Sequence, residues 1–233
     1  MKISLLIPTR KRVSNLKRLI ESIYNTTHDI SNIELIIYAD DDDAETLEFF
    51  SKERSSPRFS HLINSKLLTG RRLPKFGETN NVMARASSGD ILMLGADDIV
   101  FRTKNWDANV RDMFQKYPDR LALIFGYDGI QPPGTLATHC FISRRSTEIL
   151  GYATPGDFGY NYADNWMTEL YRQINRLVYV PIYIEHMHWG AGKAPYDETY
   201  RKGSDAPHED SKAIWEDKSR LSRDIEKLKN CLQ

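Results

Sequence analysis

Cysteine is scarce in this sequence, and a net charge of either sign is absent. Only Cys140 and Cys231 occur among 233 residues, far apart in the chain. That usage predicts reduced thiols rather than a disulfide framework. Lys plus Arg and Asp plus Glu number 32 each, so the formal net charge is zero. A neutral chain has no overall field that would attract nucleic acid or an anionic membrane.

Long hydrophobic runs are also lacking. Residues 3–7 are apolar, but this run is too short for the core of a signal peptide, and Pro8 ends it. No run approaches the roughly 20 apolar residues that a transmembrane helix requires. These absences predict a cytoplasmic protein that does not insert into membranes.

Glycine-rich phosphate-binding loops are missing as well. Neither a GxGxxG nor a GxxxxGK motif occurs, and residues 8–12, which follow the first predicted strand, contain no glycine. The dinucleotide-binding and P-loop classes are therefore excluded at their first motif. A phosphate-bearing ligand would instead be held through a metal ion and cationic side chains.

Strands and helices alternate through the first hundred residues. The composition, 40% hydrophobic and 27% charged, is ordinary for a globular chain of one large domain. Hydrophobic periodicity predicts strands at 2–7, 33–38 and 91–94, a weak strand at 61–63, and helices at 13–23, 44–52 and around 82–86. This alternation predicts a doubly wound α/β fold, with a mostly parallel central sheet flanked by helices.

The second half of the chain has a looser pattern. It predicts helices at 106–117 and 162–175, and strands at 121–125, 138–143, 177–180 and 183–186, the last two separated by Pro181. A highly charged helix is predicted from about 209 to 232, with an apolar stripe of Ile214, Trp215, Leu221, Ile225 and Leu228. Such a stripe predicts a C-terminal helix docked on the domain rather than a coiled coil.

Carboxylates follow two of the predicted strands. The apolar run 91–94 is followed by Asp97 and Asp98, and a second cluster, 40–43, follows the strand at 33–38. Adjacent ionised carboxylates repel each other, and a divalent cation or ligand hydroxyls would remove that cost. A solvated Asp-Asp turn is the alternative. In a parallel sheet both clusters lie along one edge, where they can converge on a single ligand.

Several motifs together resemble the family 2 glycosyltransferases of the GT-A fold. They cover about residues 2–200 in order: Ile7-Pro8-Thr9-Arg10, the Asp40 cluster, Asn80 to Ala86 leading to Gly89-Asp90, Ala96-Asp97-Asp98, Asp164-Asn165-Trp166 and His186-Met187-His188. The His186–His188 segment is most similar to small phage and bacterial members. Two motifs depart from the usual pattern of the family and bear on its nucleotide and metal preference. Ala39-Asp40 stands in place of Asp-Asp, and Ala96-Asp97-Asp98 stands in place of Asp-x-Asp.

The resemblance implies a metal-dependent, inverting enzyme that moves a sugar from a nucleoside-diphosphate sugar, expected to be UDP-linked, to an acceptor hydroxyl. Asp40 would accept from the base and Asp97 from the ribose hydroxyls. The full set of implied donor-binding residues is Pro8, Thr9, Arg10, Asp40, Asp41, Arg71, Asn80 and Asp97. The implied organisation is a glycosyltransferase domain at 1–205, with a nucleotide-binding half (1–101) and an acceptor and catalytic half (102–205), followed by the charged helix at 206–233.

Metal-binding and catalytic residues are also implied by the resemblance. Asp98 would bind Mn²⁺ or Mg²⁺ together with His188, and with His186 as ligand or supporting partner; a histidine ligand favours Mn²⁺. In an extended segment the two histidines share a face, although a structural role at a strand end is the alternative. Asp164 is the candidate catalytic base. Its alternative role is the N-cap of the predicted helix at 162–175.

The acceptor is left open between a modified nucleic acid base, a glycan and a protein. A phage-encoded member would work in the host cytoplasm. Two other functions remain open: a sugar-phosphate nucleotidyltransferase, which would carry a glycine-rich loop after the first strand, and a non-catalytic nucleotide-sugar-binding module. Trp106, Trp166 and Trp189 are candidates for stacking on a sugar, with core packing as the alternative for Trp106.

Overall fold

The structure is a computed structural model that describes residues 1–53, 65–159, 161–205 and 208–233. Its strands are β1 (Ile3–Thr9), β2 (Ile33–Asp40), β3 (Ser65–Gly70), β4 (Ile91–Leu94), β5 (Ile99–Phe101), β6 (Leu123–Tyr127), β7 (Phe141–Ser143) and β8 (Leu177–His186). Its helices are α1 (Val13–Thr26), α2 (Ala44–Glu53), α3 (Phe76–Ala86), α4 (Trp106–Gln115), α5 (Arg144–Leu150), α6 (Ala163–Gln173), α7 (Glu198–Asp205), α8 (His208–Glu216) and α9 (Lys218–Lys229). The weak strand predicted at 61–63 lies outside the described residues.

The strands form one mixed sheet in the order β3-β2-β1-β4-β7-β6-β8-β5. The first four strands in this order are parallel to one another. β7 runs antiparallel to both β4 and β6, whereas β8 is parallel to β6. Two reversals restore the original direction, so β8 ends at the same edge of the sheet as β1, β2 and β4. The predicted α/β class, with a central, mostly parallel sheet, is confirmed.

Helices cover both faces of the parallel strands. In β1, Leu5 belongs to one core cluster with Leu16 of α1, and the next residue, Leu6, belongs to the other with Met83 of α3 and Trp166 of α6. Successive side chains of a strand point to opposite faces. A strand buried on both faces therefore consists of consecutive apolar residues, which is why β1, β2 and β4 are recognisable in the sequence.

Several predicted boundaries were wrong for identifiable reasons. The predicted break at Pro181 does not occur: β8 is continuous, and Pro181 is exposed where the β6–β8 register shifts, a position that tolerates a residue without an N–H. The predicted C-terminal helix is two helices, because Asp217 accepts from the Ser219 N–H at 3.0 Å and caps α9. The short elements β5 and α5 were not predicted, since three and seven residues give little periodicity.

The C-terminal helix α9 packs on the domain through its apolar residues. Leu221 and Leu228 are buried in the core cluster that contains Trp166, and Asp224 accepts from the Tyr152 hydroxyl at 2.5 Å. The division of the chain at residue 205 remains a prediction. None of the helices in the described ranges combines the length and apolarity needed to cross a bilayer.

Glu34 of β2 is a buried carboxylate that ties the strand to its neighbours. It accepts from the Ser4 hydroxyl at 2.5 Å and the Ser88 N–H at 2.7 Å, with Lys2 and Lys66 ammonium groups at 3.4 Å each. Burial alone would raise the pKa of Glu34, but these contacts lower it from 4.5 to about 2. The ionised form therefore stabilises the native state above pH 4.5, and this contribution is lost as the pH falls toward 2.

We expect Glu34→Gln to lower the free energy of unfolding at pH 7 by about 1–3 kcal/mol. The difference from the wild type should shrink at pH 3, because the wild type then loses part of its own ionic contribution. Urea unfolding at both pH values measures this, with Glu226→Gln on the exposed face of α9 as the matched control. An equal loss at both pH values would contradict the ionic account.

Candidate active site

Polar residues from four strand ends meet at one edge of the sheet. Thr9 ends β1, Asp40 ends β2, Asp97 and Asp98 follow β4, and His186 ends β8. The short strand β5 pairs with β8 so that Ile99 lies opposite His186, which brings the preceding Asp98 next to this histidine. The edge predicted from the sequence to gather the carboxylates therefore also receives the end of β8.

Asp97 and Asp98 are both buried, with 3% and 4% of their surface exposed. The Thr9 hydroxyl donates to Asp97 at 2.8 Å, and the Tyr200 hydroxyl donates to Asp98 Oδ2 at 2.6 Å. Burial and the neighbouring Asp98 charge raise the pKa of Asp97. Burial would also raise the pKa of Asp98, but His186, Tyr200 and Arg12 together lower it. The contacts of Asp98 therefore favour its ionised form.

Arg12 is the cation that balances this acidic pair. Its Nη1 lies 3.2 Å from Asp97 Oδ1 and 3.5 Å from Asp98 Oδ2. Its Nε and Nη2 donate to the two oxygens of Asp197 at 2.6 and 2.8 Å, and the guanidinium lies 4.4 Å from the centre of the Tyr200 ring. The start of α7 is thereby tied to the acidic pair. The sequence reasoning did not identify these partners, because Arg12 and Asp197 are 185 positions apart and share no motif.

The two candidate metal-binding histidines differ in position. His186 Nε2 lies 3.5 Å from Asp98 Oδ1, a buried oxygen without a hydrogen-bond partner among the described residues. The His188 ring centre is 5.0 Å from that of His186, and its Nδ1 accepts from the Gly190 N–H at 3.1 Å. His186 is therefore the imidazole beside Asp98, and His188 flanks it. This position favours His186 as the metal ligand over His188, the histidine favoured from the sequence. The metal-binding role of either histidine remains a prediction.

The Asp98–His186 pair fits a divalent cation that draws most of its ligands from elsewhere. Within the described part of the chain, no group of three or more Asp, Glu, His or Cys side chains is arranged to hold a metal ion. Cations that bridge a diphosphate need only one or two protein ligands, because phosphate oxygens and water supply the others. One unpartnered carboxylate oxygen and one imidazole nitrogen meet that requirement, and the nitrogen favours Mn²⁺ over Mg²⁺.

Asp40 is linked to this cluster by Arg10, the residue that follows Thr9 in the chain. Arg10 Nη1 donates to Asp40 Oδ2 at 2.8 Å, and the same guanidinium holds the exposed Asp42, with Nη2 at 2.9 Å from Asp42 Oδ2. Burial raises the pKa of Asp40, although Arg10 opposes that shift. Consecutive residues of β1 and the loop after it thus contact both carboxylate clusters, which places the clusters next to each other.

The other predicted donor-binding residues are not all at this edge. Pro8 lies within β1 and Asp41 is exposed just after β2. Arg71 is exposed, and its carbonyl accepts from the Tyr38 hydroxyl at 2.9 Å. Asn80 is fully buried in α3, where its Nδ2 donates to the Thr154 hydroxyl at 3.4 Å. The structure therefore places Asn80 in the core behind the edge, and the binding roles remain predictions.

Asp164 is the second residue of α6, partly buried at the amino end of the helix. The helix begins at Ala163 with Tyr162 as its N-cap, so Asp164 is not the capping residue; its Oδ1 accepts from the Asn165 N–H at 2.8 Å. Burial raises the pKa of Asp164. The helix amino end favours the ionised carboxylate that a catalytic base requires.

Of the three candidate tryptophans, Trp189 is the one that faces solvent. Trp106 and Trp166 are fully buried in the two cores, whereas Trp189 is 41% exposed. Its ring centre is 4.8 Å from that of Tyr196 and 5.8 Å from that of His188. The aromatic pair therefore lies beside the candidate active site, where it can contact a ligand.

The sheet and its flanking helices have the fold of GT-A glycosyltransferases. The mannosyltransferase PcManGT from Pyrobaculum calidifontis, solved with GDP-Man and Mn²⁺, matches with a TM-score of 0.70 and 14% identity, over 99% of this chain and 69% of that one. TarS 1-349 from S. aureus with UDP-GlcNAc matches with a TM-score of 0.64 and 14% identity, over 87% of this chain.

These similarities define the fold alone. The chain spans 64% of TarS 1-349 in the UDP-GlcNAc complex and 60% of it in the structure without that ligand, where the TM-score is 0.61. Neither the protein-family models nor the curated proteins give a match to the sequence.

Proposed function

We propose that this protein is a metal-dependent, inverting glycosyltransferase, related to family 2, that uses a nucleoside-diphosphate sugar. The observation that carries the proposal is the buried Asp98 oxygen without a hydrogen-bond partner among the described residues, which lies 3.5 Å from His186 Nε2 at the carboxyl edge of the sheet. Folding alone gives little reason to leave a buried carboxylate oxygen unpaired, since that costs about 1–3 kcal/mol or more. The solved relatives with nucleotide-sugar donors support the proposal.

The donor nucleotide would bind along the ends of β1 and β2. Asp40, buried and held by Arg10, would accept from an imide N–H of a pyrimidine base, which favours a UDP-linked donor. Asp97, held by Thr9, would accept from the ribose hydroxyls. Arg10 and Arg12, which contact Asp40 and Asp97, are the cations that would lie near the diphosphate.

The chemical step would take place between Asp98 and Asp164. A divalent cation held by Asp98 and His186 supplies charge stabilisation for the departing nucleoside diphosphate. Asp164 would accept the proton of the acceptor hydroxyl as this oxygen attacks the anomeric carbon. A single displacement of this kind inverts the anomeric configuration, and positive charge develops on the sugar ring.

A glycan is the acceptor class that the surface supports best. The basic run 10–12 is engaged by carboxylates: Arg10 by Asp40, Arg12 by Asp197, and Lys11 by Glu198 at 3.5 Å. Each of these cations is balanced by a carboxylate, so the run presents no net positive patch to the phosphates of a nucleic acid. The exposed Trp189 and Tyr196, by contrast, offer aromatic faces to a sugar ring.

A panel of nucleotide sugars tests the proposed function. We expect a UDP-sugar to raise the melting temperature in the presence of Mn²⁺, because a ligand that binds the native state stabilises it, and EDTA should abolish the shift. The same mixture should release UDP slowly by donor hydrolysis, and faster once an acceptor glycan is added. Binding without any release of UDP would instead identify a non-catalytic nucleotide-sugar-binding module.

A further inference from the structure

The structure has a small cavity beside Asp164, to which the mechanism described above assigns no part of the substrate. Its volume is about 70 Å³, and its lining comes from several separate segments: Phe76, Leu94, Gly95, Ala96, Ala137, Thr138, His139, Cys140, Thr154, Ala163, Asp164 and Met167. A water needs about 10–15 Å³ by this kind of measure, and a cavity of about 150 Å³ binds benzene. The space therefore suits a group of a few heavy atoms and not a whole sugar ring.

The residues that line the cavity are mainly apolar but include His139, whose Nε2 is unsatisfied within the described ranges. Leu94, Ala137 and Met167 contribute carbon surface, whereas the ring of His139 is nine-tenths buried, and its Nε2 has no hydrogen-bond partner among the residues the structure describes. A buried nitrogen of this kind destabilises the fold unless an ordered water or a ligand completes it. A matching group needs a methyl-sized apolar part and a polar part next to it.

An acetamido group has both parts. Its methyl suits the carbon-lined space, and its amide offers both a donor and an acceptor, so that it can serve an imidazole nitrogen in either tautomer. A methyl group alone, as in a deoxysugar, would leave His139 unpaired. A hydroxyl alone would fill little of the cavity.

The position of the cavity identifies the molecule that would carry this group. Ala96 lines the cavity and directly precedes Asp97 and Asp98, and Asp164 also lines it. Under the proposed function, the sugar of the donor lies between the diphosphate-side carboxylates and the base. We propose that the cavity is a subsite for the acetamido group of the donor sugar, so that the protein prefers an N-acetylhexosamine donor. This inference rests on the proposed function.

Equilibrium binding tests the preference without an acceptor. We expect calorimetry with Mn²⁺ to give a dissociation constant for UDP-GlcNAc about tenfold or more below that for UDP-glucose, since a matched apolar and hydrogen-bonded group contributes that much. Ala137→Val reduces the cavity, and His139→Leu removes the imidazole. Each should bring the ratio of the two constants close to one, largely by weakening UDP-GlcNAc binding. Ala213→Val, on the exposed surface of α8, is the matched control and should retain the ratio.

The outcomes separate this inference from the proposed function. Loss of folded protein reduces the number of sites for both sugars equally, so the ratio reports on the cavity even for a poorly folded variant. Equal binding of the two sugars by the wild type would overturn the acetamido subsite while leaving the transferase intact. A wild-type ratio that neither cavity variant changes would also overturn it. Failure of the wild type to bind either UDP-sugar would overturn both proposals.

Discussion

Asp98→Asn is expected to lower kcat/KM for sugar transfer by about 10²–10³-fold, the loss typical when one group that stabilises developing charge is removed. The substitution keeps the shape of the side chain, and its amide oxygen can still accept from the Tyr200 hydroxyl, but it removes the negative charge beside His186. Without that charge, the cation and the diphosphate lose their anchor. Dependence of the residual activity on Mn²⁺ should weaken in parallel.

Initial rates with a UDP-sugar across a series of Mn²⁺ concentrations measure this effect. Asp112→Asn, an exposed carboxylate of α4, is the matched control and should behave as the wild type. Thermal unfolding of the free protein checks that Asp98→Asn still folds. Wild-type activity in a folded Asp98→Asn variant would remove the basis of the metal-dependent mechanism.

Asp164→Asn is expected to lower kcat by about 10²–10⁴-fold, the contribution of a positioned general base. Binding of the donor should change little, because the introduced amide keeps the shape of the carboxylate that lines the cavity, and Asp164 is not in the carboxylate cluster that would hold the nucleotide. The diagnostic result is therefore a loss in kcat with the dissociation constant of the donor unchanged within about twofold.

The pH dependence of the transfer rate is a second test of the role of Asp164. A base must be ionised, so the rate should fall as the pH drops through the pKa of Asp164, which burial raises above the ordinary value for aspartate. The slow residual reaction of Asp164→Asn should lack this acidic limb. Glu148→Gln, an exposed carboxylate of α5, controls for general charge effects and should retain it. An unchanged limb in Asp164→Asn would assign the titration to another group.

The parts of the fold that could be predicted from sequence are those fixed by local pattern. Strands β1, β2 and β4 are continuous apolar runs, and α1 repeats its apolar residues with helical spacing. The gathering of the carboxylates at one edge of the sheet was predictable too, because parallel strands have their carboxyl ends at the same edge. The strand β5 and the unbroken β8 could not be predicted in the same way, since both depend on pairing between residues that are far apart in the sequence.

The candidate site was predictable only in part for the same reason. Asp40, Asp97 and Asp98 stand at or after the ends of predicted strands. The family resemblance favoured His188 as the histidine that acts with Asp98, whereas the structure places His186 next to Asp98. The contacts of Arg12 with Asp197 and of Tyr200 with Asp98 depend on how α7 docks, and no local pattern encodes that. The cavity is similar: its walls combine α3, β4, the loop before β7 and α6, none of which has an unusual sequence.

The guanidinium of Arg12 has a consequence for how the protein would acquire the proposed divalent ion. Because an internal cation already offsets the repulsion between Asp97 and Asp98, the polypeptide can reach its native conformation before it meets any divalent ion. Arg12 and Tyr200 both contact Asp98 Oδ2, so an incoming ion would meet two protein ligands, Asp98 Oδ1 and His186, and the free protein should capture it weakly. Loading is therefore expected to occur together with the donor, whose phosphates add the missing oxygens and give Arg12 a new anionic partner.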